Sequence, residues 1–152
     1  MTSSGPNQKE VIEKSLEIEV DGEAIFDSFQ VTYNLFEQST YEILKKLIEI
    51  NKVVIIKEAL ANGRVFLNDA PSETMKQIAQ KHKVGVDAVV LRFVIDTLNP
   101  TYVLSGASST EQLKENYKAL DFKLTDSEIE DLKKLKKDPY TYWDERSQLS
   151  WH

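Results

Sequence analysis

The sequence predicts an α/β fold in which parallel strands are joined by helical crossovers, and three observations support this prediction. Short apolar runs rich in β-branched residues alternate along the chain with segments of helical periodicity. The segments between these runs are too long for hairpins, so the strands should pair in parallel through right-handed crossovers. The chain also contains only 5 glycines, too few for the many turns of a β-sandwich. We therefore predict an α/β layer or an α/β barrel.

Three short apolar runs are the strand candidates. They occupy residues 29–33 (FQVTY), 53–56 (VVII) and 102–104 (YVL). Ser4-Gly5 precedes a helical segment in the same way as Ser105-Gly106 does, but only residues 1–3 stand before it. We therefore expect the chain to begin just after a strand, so that the first strand is truncated.

The helices are predicted from the spacing of apolar residues and from their N-cap residues. Four helix starts carry an N-cap residue followed three positions later by an acid or an amide, namely Asn7 with Glu10, Ser39 with Glu42, Ser109 with Gln112 and Thr125 with Glu128. A further helix contains Met75, Ile78 and Ala79, and residues 86–98 are apolar enough to predict a buried helix.

The last predicted helix, residues 126–136, has the thin apolar stripe that is typical of an outer layer. The tail that follows, through Trp143 to Trp151, shows no period, and we interpret it as a packed C-terminal loop. Glu10, Glu13, Glu17 and Glu19 are expected together on the solvated face of the first helix.

Composition excludes several classes of function. The net charge of -6 opposes binding to nucleic acid or to anionic membranes, and no apolar run could span a bilayer. The absence of cysteine excludes disulfides, thiolate nucleophiles and cysteine-ligated metals, and leaves His82 and His152 as the only imidazoles. No apolar segment follows a basic start, so we expect no secretory signal and a cytoplasmic location.

Ligand sites in parallel α/β folds lie in the loops after the carboxyl ends of the strands. The loop of residues 105–109 leads into a capped helix N-terminus. It is either a cradle for an anion such as phosphate, or a tight turn in which Ser109 only caps the helix. Lys57, directly after the second strand, either contacts a cofactor or pairs with Glu58 or a neighbouring carboxylate. His82 lies in a charged helix end and is expected to be solvated rather than a catalytic base.

Searches for established catalytic motifs exclude further classes. The sequence contains no GxGxxG, GxxxxGK[ST], HExxH or GxSxG motif. The dinucleotide fingerprint, the P-loop, the zinc peptidase helix and the serine hydrolase elbow therefore have no residues to carry them.

Several weak motifs nevertheless lie along the chain in an informative order. They are Ser4-Gly5 before a helix, Phe29-Gln30-Val31 with Tyr33-Asn34, Ala59-Leu60-Ala61-Asn62-Gly63, Ser105-Gly106-Ala107-Ser108-Ser109 with Glu111-Gln112-Leu113 and Glu115-Asn116, and Leu124-Thr125 before Glu128. In this order and spacing they resemble the second half of the aldo-keto reductases, from the loop after the fifth strand to the closing helix. The resemblance covers residues 2–136.

The resemblance implies a (β/α)8 TIM-barrel fold. Residues 1–136 would form its C-terminal half-barrel of about four βα units, and residues 137–152 a C-terminal tail. It also implies an oxidoreductase that moves a hydride between NADPH and an aldehyde, ketone or sugar. The family's catalytic aspartate, tyrosine, lysine and histidine come from the first half of the barrel, so no catalytic residue is assigned here, and neither Tyr33 nor Lys57 takes such a role.

By the same resemblance, the half that is present binds the cofactor. The implied nicotinamide contacts are Gln30, with Ser4 beside it, and Lys57, which stands where many members stack an aromatic ring. Leu60 and Asn62 resemble the loop over the pyrophosphate. The residues that match contacts to the adenosine ribose, its 2'-phosphate and adenine are Gly106, Ala107, Ser108, Gln112, Glu115 and Asn116. The family resemblance favours NADP as the cofactor, with NAD as the alternative. Gly106 and Gln112 replace basic residues of many members, which weakens the charge argument for the 2'-phosphate.

Two functions are consistent with these observations. The first is the cofactor-binding half of an NAD(P)H-dependent aldo-keto reductase-like oxidoreductase, which lacks the catalytic tetrad and would act on a small carbonyl substrate once an N-terminal half completes it. The alternative is a non-catalytic interaction or regulatory protein derived from the reductase scaffold. A half-barrel leaves strand edges and an apolar face open, so we expect self-association or a complementary half as partner. We expect no metal, nucleic acid or membrane partner.

Overall fold

The computed structural model describes residues 1–67 and 72–150. Its helices are α1 (Gln8–Ser15), α2 (Tyr41–Glu49), α3 (Glu73–His82), α4 (Val86–Leu98), α5 (Thr110–Tyr117), α6 (Asp126–Lys133) and α7 (Pro139–Ser147). Its strands are β1 (Glu19–Val20), β2 (Glu23–Ala24), β3 (Ser28–Thr32), β4 (Val53–Lys57) and β5 (Tyr102–Val103). Short 3₁₀ helices span Ala61–Phe66 and Lys118–Leu120.

The three predicted strands form one parallel sheet in the order β3-β4-β5. Gln30 of β3 pairs with Ile55 of β4, which in turn pairs with Tyr102 of β5. On the other side of β3, Thr2 forms an isolated parallel bridge to Gln30, so the first residues occupy a fourth row of the sheet. The predicted α/β architecture, with helical crossovers between parallel strands, is confirmed.

One face of the sheet is buried under the helices. Phe29 of β3 and its partner Val54 of β4 are both fully buried, whereas the residues that alternate with them, such as Gln30 and Ile55, are only half-buried. The helix α4 has the predicted bounds and is the most buried, because apolar side chains surround most of it. The other face, on which Gln30, Ile55 and Lys57 are half-buried and Thr32 is fully buried, would be the inside of a barrel.

The structure confirms two of the predicted helix caps and corrects the other two. Ser109 Oγ accepts a hydrogen bond from the N–H of Gln112, and Thr125 forms a complete capping box with Glu128. Asn7 stands at the N-cap of α1 but its side chain makes no capping bond. The helix α2 begins after Thr40, not after Ser39, because the Ser39 hydroxyl and N–H both donate to Glu37 instead.

Three local predictions were wrong. The first helix ends at Ser15, so Glu17 and Glu19 do not share its face, and the chain instead forms an exposed antiparallel hairpin of β1 and β2. The helix α6 ends at Lys133 rather than at residue 136. The tail is not a loop, because residues 139–147 form α7, which Asp138 caps by accepting a hydrogen bond from Thr141. Trp151 and His152 lie outside the described residues.

His82 is packed rather than solvated, contrary to the prediction. Its Nε2 lies 3.1 Å from Glu128 Oε1, and its ring stacks on Phe122 with the centroids 4.6 Å apart. Lys81 Nζ donates to the same carboxylate oxygen at 2.8 Å. These contacts join the end of α3 to the start of α6, so His82 has a structural role here. In the described ranges, no helix is both long and apolar enough to cross a membrane.

Candidate functional site

A cavity opens at the carboxyl ends of β4 and β5, where parallel α/β folds bind their ligands. Its volume is about 570 Å³, which is within the usual size of small-molecule sites. We call it the strand-end cavity. Its lining residues are Lys57, Glu58, Ala59, Leu60, Asn62, Gly63, Phe66, Asp87, Leu104, Ser105, Gly106, Ala107, Ser108, Gln112 and Asn116.

Lys57 is the last residue of β4 and brings a cation to the strand-end cavity. Its Nζ donates a hydrogen bond to Ser4 Oγ at 2.6 Å. Partial burial lowers the pKa of Lys57 below its usual value, although the charge of Glu58 opposes this shift. The alternative that Lys57 pairs directly with Glu58 is not what the structure shows, because the Glu58 carboxylate binds Arg146.

The loop after β4 holds a strained backbone beside the cavity. Glu58, Ala61 and Asn62 have φ values of 54°, 50° and 56°, and Gly63 follows at 80°. For residues with a Cβ this left-handed conformation costs roughly 1 to 2 kcal/mol each. Backbone strain of this kind persists only where surrounding contacts fix it, and such sites are often functional.

The helix α7 supplies the contacts that fix this loop. Arg146 Nε donates to both oxygens of the Glu58 carboxylate, at 3.0 and 2.9 Å. Arg64 donates from Nε to the carbonyl of Ala61 at 3.0 Å and from Nη1 to the carbonyl of Tyr142 at 3.1 Å. Its guanidinium also stacks 4.0 Å above the Tyr142 ring. The tail therefore helps to shape the cavity.

A buried polar network continues from this loop to the end of β3. Asn34 is fully buried, and its Nδ2 donates to the carbonyl of Glu58 and to Tyr142 Oη, both at 2.9 Å. Glu37 is also buried and accepts a hydrogen bond from Trp143 Nε1 at 2.9 Å. Burial is the main cause that raises the pKa of Tyr142 to about 12, so this hydroxyl stays neutral and hydrogen-bonded at physiological pH.

The loop between β5 and α5 is closed by its own side chains. Ser109 Oγ accepts from the N–H of Gln112 at 3.2 Å, which is the capping arrangement that the sequence left as one of two alternatives. In return, Gln112 Oε1 accepts from the N–H of Ser108 at 2.8 Å and from its hydroxyl at 3.0 Å. Asn116 Nδ2 donates to the carbonyl of Ser105 at 3.4 Å, which ties the loop to the body of α5.

The strand-end cavity brings together most of the residues that the sequence selected as cofactor contacts. Eight of the ten line it, namely Lys57, Leu60, Asn62, Gly106, Ala107, Ser108, Gln112 and Asn116. Gln30 and Glu115 are not among the lining residues. Gln30 is in β3, where its backbone pairs with residues 1–3. Glu115 forms an ion pair with Lys118 at 2.6 Å.

The structure adds lining residues that sequence reasoning missed. Phe66 lines the cavity with 52% of its surface exposed, and Asp87 comes from the start of α4. Arg146 acts on the loop from a distant part of the chain. The sequence offered a signal only for the start of α7, where Asp138 followed by Pro139 is a favoured N-cap and first helical position. Over the described parts of the chain, no group of three or more potential metal ligands comes together.

Comparison with known proteins decides the family. The model of the aldo/keto reductase family matches residues 7–137. The chain belongs to the aldo-keto reductase family. Its α/β fold is accordingly of the TIM-barrel type, and the described strands form a partial barrel. The predicted family and fold class are both confirmed.

Solved aldo-keto reductases share this fold at low sequence identity. A protein assigned as a 2,5-diketo-D-gluconic acid reductase B superposes with a TM-score of 0.68 at 23% identity, over 90% of this chain and 44% of its own. The thermostable aldo-keto reductase Tm1743 gives 0.63 at 20% identity, over 88% and 46%. The aldose reductase from Schistosoma japonicum gives 0.60 at 20% identity, over 85% and 40%. The chain thus spans less than half the length of these structures. No curated protein sequence matches it.

Proposed function

We propose that the chain is the cofactor-binding half of an aldo-keto reductase-like oxidoreductase, and that the strand-end cavity holds the nicotinamide dinucleotide. The family resemblance suggests NADP as this cofactor, with NAD as the alternative. The observation that carries the proposal is that one cavity collects eight residues chosen by family resemblance from separate segments of the chain. Residues selected at random would not be expected to meet at the carboxyl ends of parallel strands.

The lining of the strand-end cavity fits a dinucleotide. Polar groups of Asn62, Ser108 and Asn116 alternate with the apolar surfaces of Leu60 and Phe66, and such a mixture orients a ligand while excluding water. The strained loop around Leu60 and Asn62 would place backbone beside a bound dinucleotide, and the half-exposed Phe66 brings an aromatic ring to the lining. When bound, the cofactor supplies a hydride; the residues of this chain bind and orient it.

Calorimetric titration of the purified chain with NADPH and NADH tests the proposal. Binding should release heat, and Leu60→Glu should abolish it because a carboxylate would then face the cofactor phosphates. Leu67→Glu is the matched control, since Leu67 is 56% exposed and does not line the cavity. If millimolar nucleotide gives no heat, or if both variants bind like the wild-type chain, the cavity is not a nucleotide site.

We further propose that reduction of an aldehyde, ketone or sugar requires the catalytic tetrad of a complementary half. The chain alone should not oxidise NADPH when a panel of aldehydes and sugars is supplied. Steady-state absorbance at the nicotinamide band measures this directly. Turnover by the purified chain that persists through further purification would contradict the proposal.

An apolar surface at the free edge of β5 supports the expectation that a partner binds the chain. Tyr102, Leu113, Tyr117 and Leu120 are each between 43% and 63% exposed there, and they line a second cavity of about 490 Å³. We propose that a second copy of the chain or a complementary half covers this surface, which an unpaired strand edge also invites. Sedimentation velocity should show dimers that Leu113→Lys dissociates, and a compact monomer for the wild-type chain would contradict self-association.

The same apolar surface favours the second candidate function, a non-catalytic interaction or regulatory protein derived from the reductase scaffold. Nucleotide titration separates the two candidates, because this alternative does not require a working cofactor site. The cytoplasmic location and the boundary between residues 1–136 and 137–152 stay predictions.

A further inference from the structure

We propose that the strand-end cavity selects the nicotinamide cofactor without a ribose 2'-phosphate, so that NAD(H) binds more tightly than NADP(H). The inference rests on the proposed function, because it assumes that the cavity holds a nicotinamide dinucleotide. It reverses the preference for NADP that the family resemblance suggests. Three features of the described residues support it: the closed start of α5, the position of Lys57 and the sign of the remaining charges.

The start of α5 already satisfies the groups that would bind a phosphate. The N–H and hydroxyl of Ser108 both donate to Gln112 Oε1, at 2.8 and 3.0 Å. The N–H of Gln112 donates to Ser109 Oγ at 3.2 Å. Free amides at a helix N-terminus attract phosphate, but here a neutral carboxamide oxygen and a hydroxyl occupy them. A 2'-phosphate would have to displace both side chains before it gained these hydrogen bonds.

The cation of the cavity points away from this end. Among the described lining residues, Lys57 is the one with a basic side chain, and its Nζ lies 2.6 Å from Ser4 Oγ. Ser4 follows residues 1–3, which pair with β3 at one edge of the sheet. Gly106 follows β5, which is at the other edge of the sheet. Three strand spacings, about 14 Å along the sheet, therefore separate Ser4 from the strand that leads to the start of α5. The ammonium group binds Ser4, so it would have to give up this hydrogen bond before it could neutralise a phosphate at the start of α5.

The other charges near the cavity do not favour binding of the 2'-phosphate. Asp87 lines the cavity from the start of α4. Glu58 pairs with Arg146, and Lys118, which directly follows α5, pairs with Glu115 at 2.6 Å. A phosphate monoester carries about -1.5 to -2 charges at neutral pH. Placed at Ser108 it would lie in the field of the Asp87 carboxylate, while Lys57, the basic residue of the described lining, is bound to Ser4. A ribose hydroxyl adds no charge there.

The test is a pair of calorimetric titrations, with NADH and with NADPH, on the full chain and on two variants of Gln112. The wild-type chain should bind NADH roughly tenfold or more tightly than NADPH. Gln112→Arg should raise the affinity for NADPH relative to that for NADH by about tenfold, because it opens the Ser108 amide and adds a planar cation. Gln112→Met removes the same cap without a charge and should keep the preference for NADH. Circular dichroism verifies that all three chains are folded.

The possible results separate this inference from the proposed function. Equal or tighter binding of NADPH by the wild-type chain overturns the inference and leaves the proposed function standing. Equal gains in NADPH affinity for Gln112→Arg and Gln112→Met also overturn it, because charge at this position would then not decide the preference. Failure of both nucleotides to bind overturns the proposed function and the inference together.

Discussion

The ion pair between Arg146 and Glu58 offers the most direct test of the structure, because it joins α7 to the loop of the strand-end cavity. We predict that Arg146→Met destabilises the chain. The guanidinium donates to both carboxylate oxygens, with Nε at 3.0 and 2.9 Å. The Glu58 side chain is only 11% exposed and that of Arg146 is 25% exposed. Loss of the guanidinium would leave a nearly buried carboxylate without its charge partner.

The expected loss of unfolding free energy is about 2 kcal/mol. A hydrogen bond to a charged group contributes roughly 1.5 to 3 kcal/mol, and removal of one partner of a fully buried pair costs roughly 3 to 5 kcal/mol. The cost for this pair should be smaller than 3 to 5 kcal/mol, because Arg146 is partly exposed and water can solvate part of the charge left on Glu58. For a chain of 152 residues, the loss corresponds to a decrease of about 4 to 8 °C in melting temperature.

Thermal unfolding followed by circular dichroism measures this change, and a double-mutant cycle with Glu58→Gln isolates the pair. The coupling energy should be about 1 to 2 kcal/mol. Lys9→Met is the control, since the Lys9–Glu13 pair has a 3.9 Å separation and both side chains are about half exposed, and its loss should not change the melting temperature measurably. Additive effects of the two substitutions would refute the reasoning, because the pair would then contribute nothing as a pair.

Two further predictions concern buried carboxylates. Burial alone would raise the pKa of Glu128, but hydrogen bonds from Lys81 and Thr125 outweigh this effect and hold the pKa at about 2, below the usual 4.5. The ionised Glu128 therefore stabilises the folded chain fully above pH 4.5, and this stabilisation is lost as the pH falls toward 2. Melting temperatures between pH 6 and about 2 should therefore fall more steeply for the wild-type chain than for Glu128→Gln, and parallel profiles would contradict this. Trp143→Phe removes the indole N–H that donates to buried Glu37 at 2.9 Å and should cost about 1 to 3 kcal/mol in urea unfolding; an unchanged midpoint would show that the bond is dispensable.

The sequence predicted those parts of the fold that depend on local pattern. The β-branched run that became β4 is buried on alternate residues, and the run that became β3 buries Phe29, Val31 and Thr32. The strongly apolar α4 was predicted with its observed bounds, because such a pattern reports burial directly. The dipeptide Asp21-Gly22, between β1 and β2, is also a local signal for a hairpin, although no hairpin was predicted there. Both residues have the positive φ, 53° and 81°, that this pair favours in tight turns.

The rest depended on contacts between residues distant in the chain. The helix α7 has no apolar stripe, because its buried residues Tyr142 and Trp143 are adjacent rather than spaced by a turn. The family resemblance selected eight residues of the strand-end cavity, but not Asp87 or Arg146, whose place in the site follows only from the packing of α4 and α7 against the loops. No local pattern could indicate that Arg146 would bind Glu58, 88 positions earlier.

The contacts of α7 connect the stability of the chain to its proposed ligand. The loop from Glu58 to Gly63 keeps a left-handed backbone at several residues, and the energy that this costs is offset by Arg146, Arg64 and Asn34, which hold its side-chain and carbonyl groups. A loop fixed before a ligand arrives does not lose conformational entropy on binding, so the helix that stabilises it also favours binding. Folding and binding are then linked reciprocally: whatever loosens α7 should weaken the site, and a ligand that binds the loop should stabilise the packing of α7.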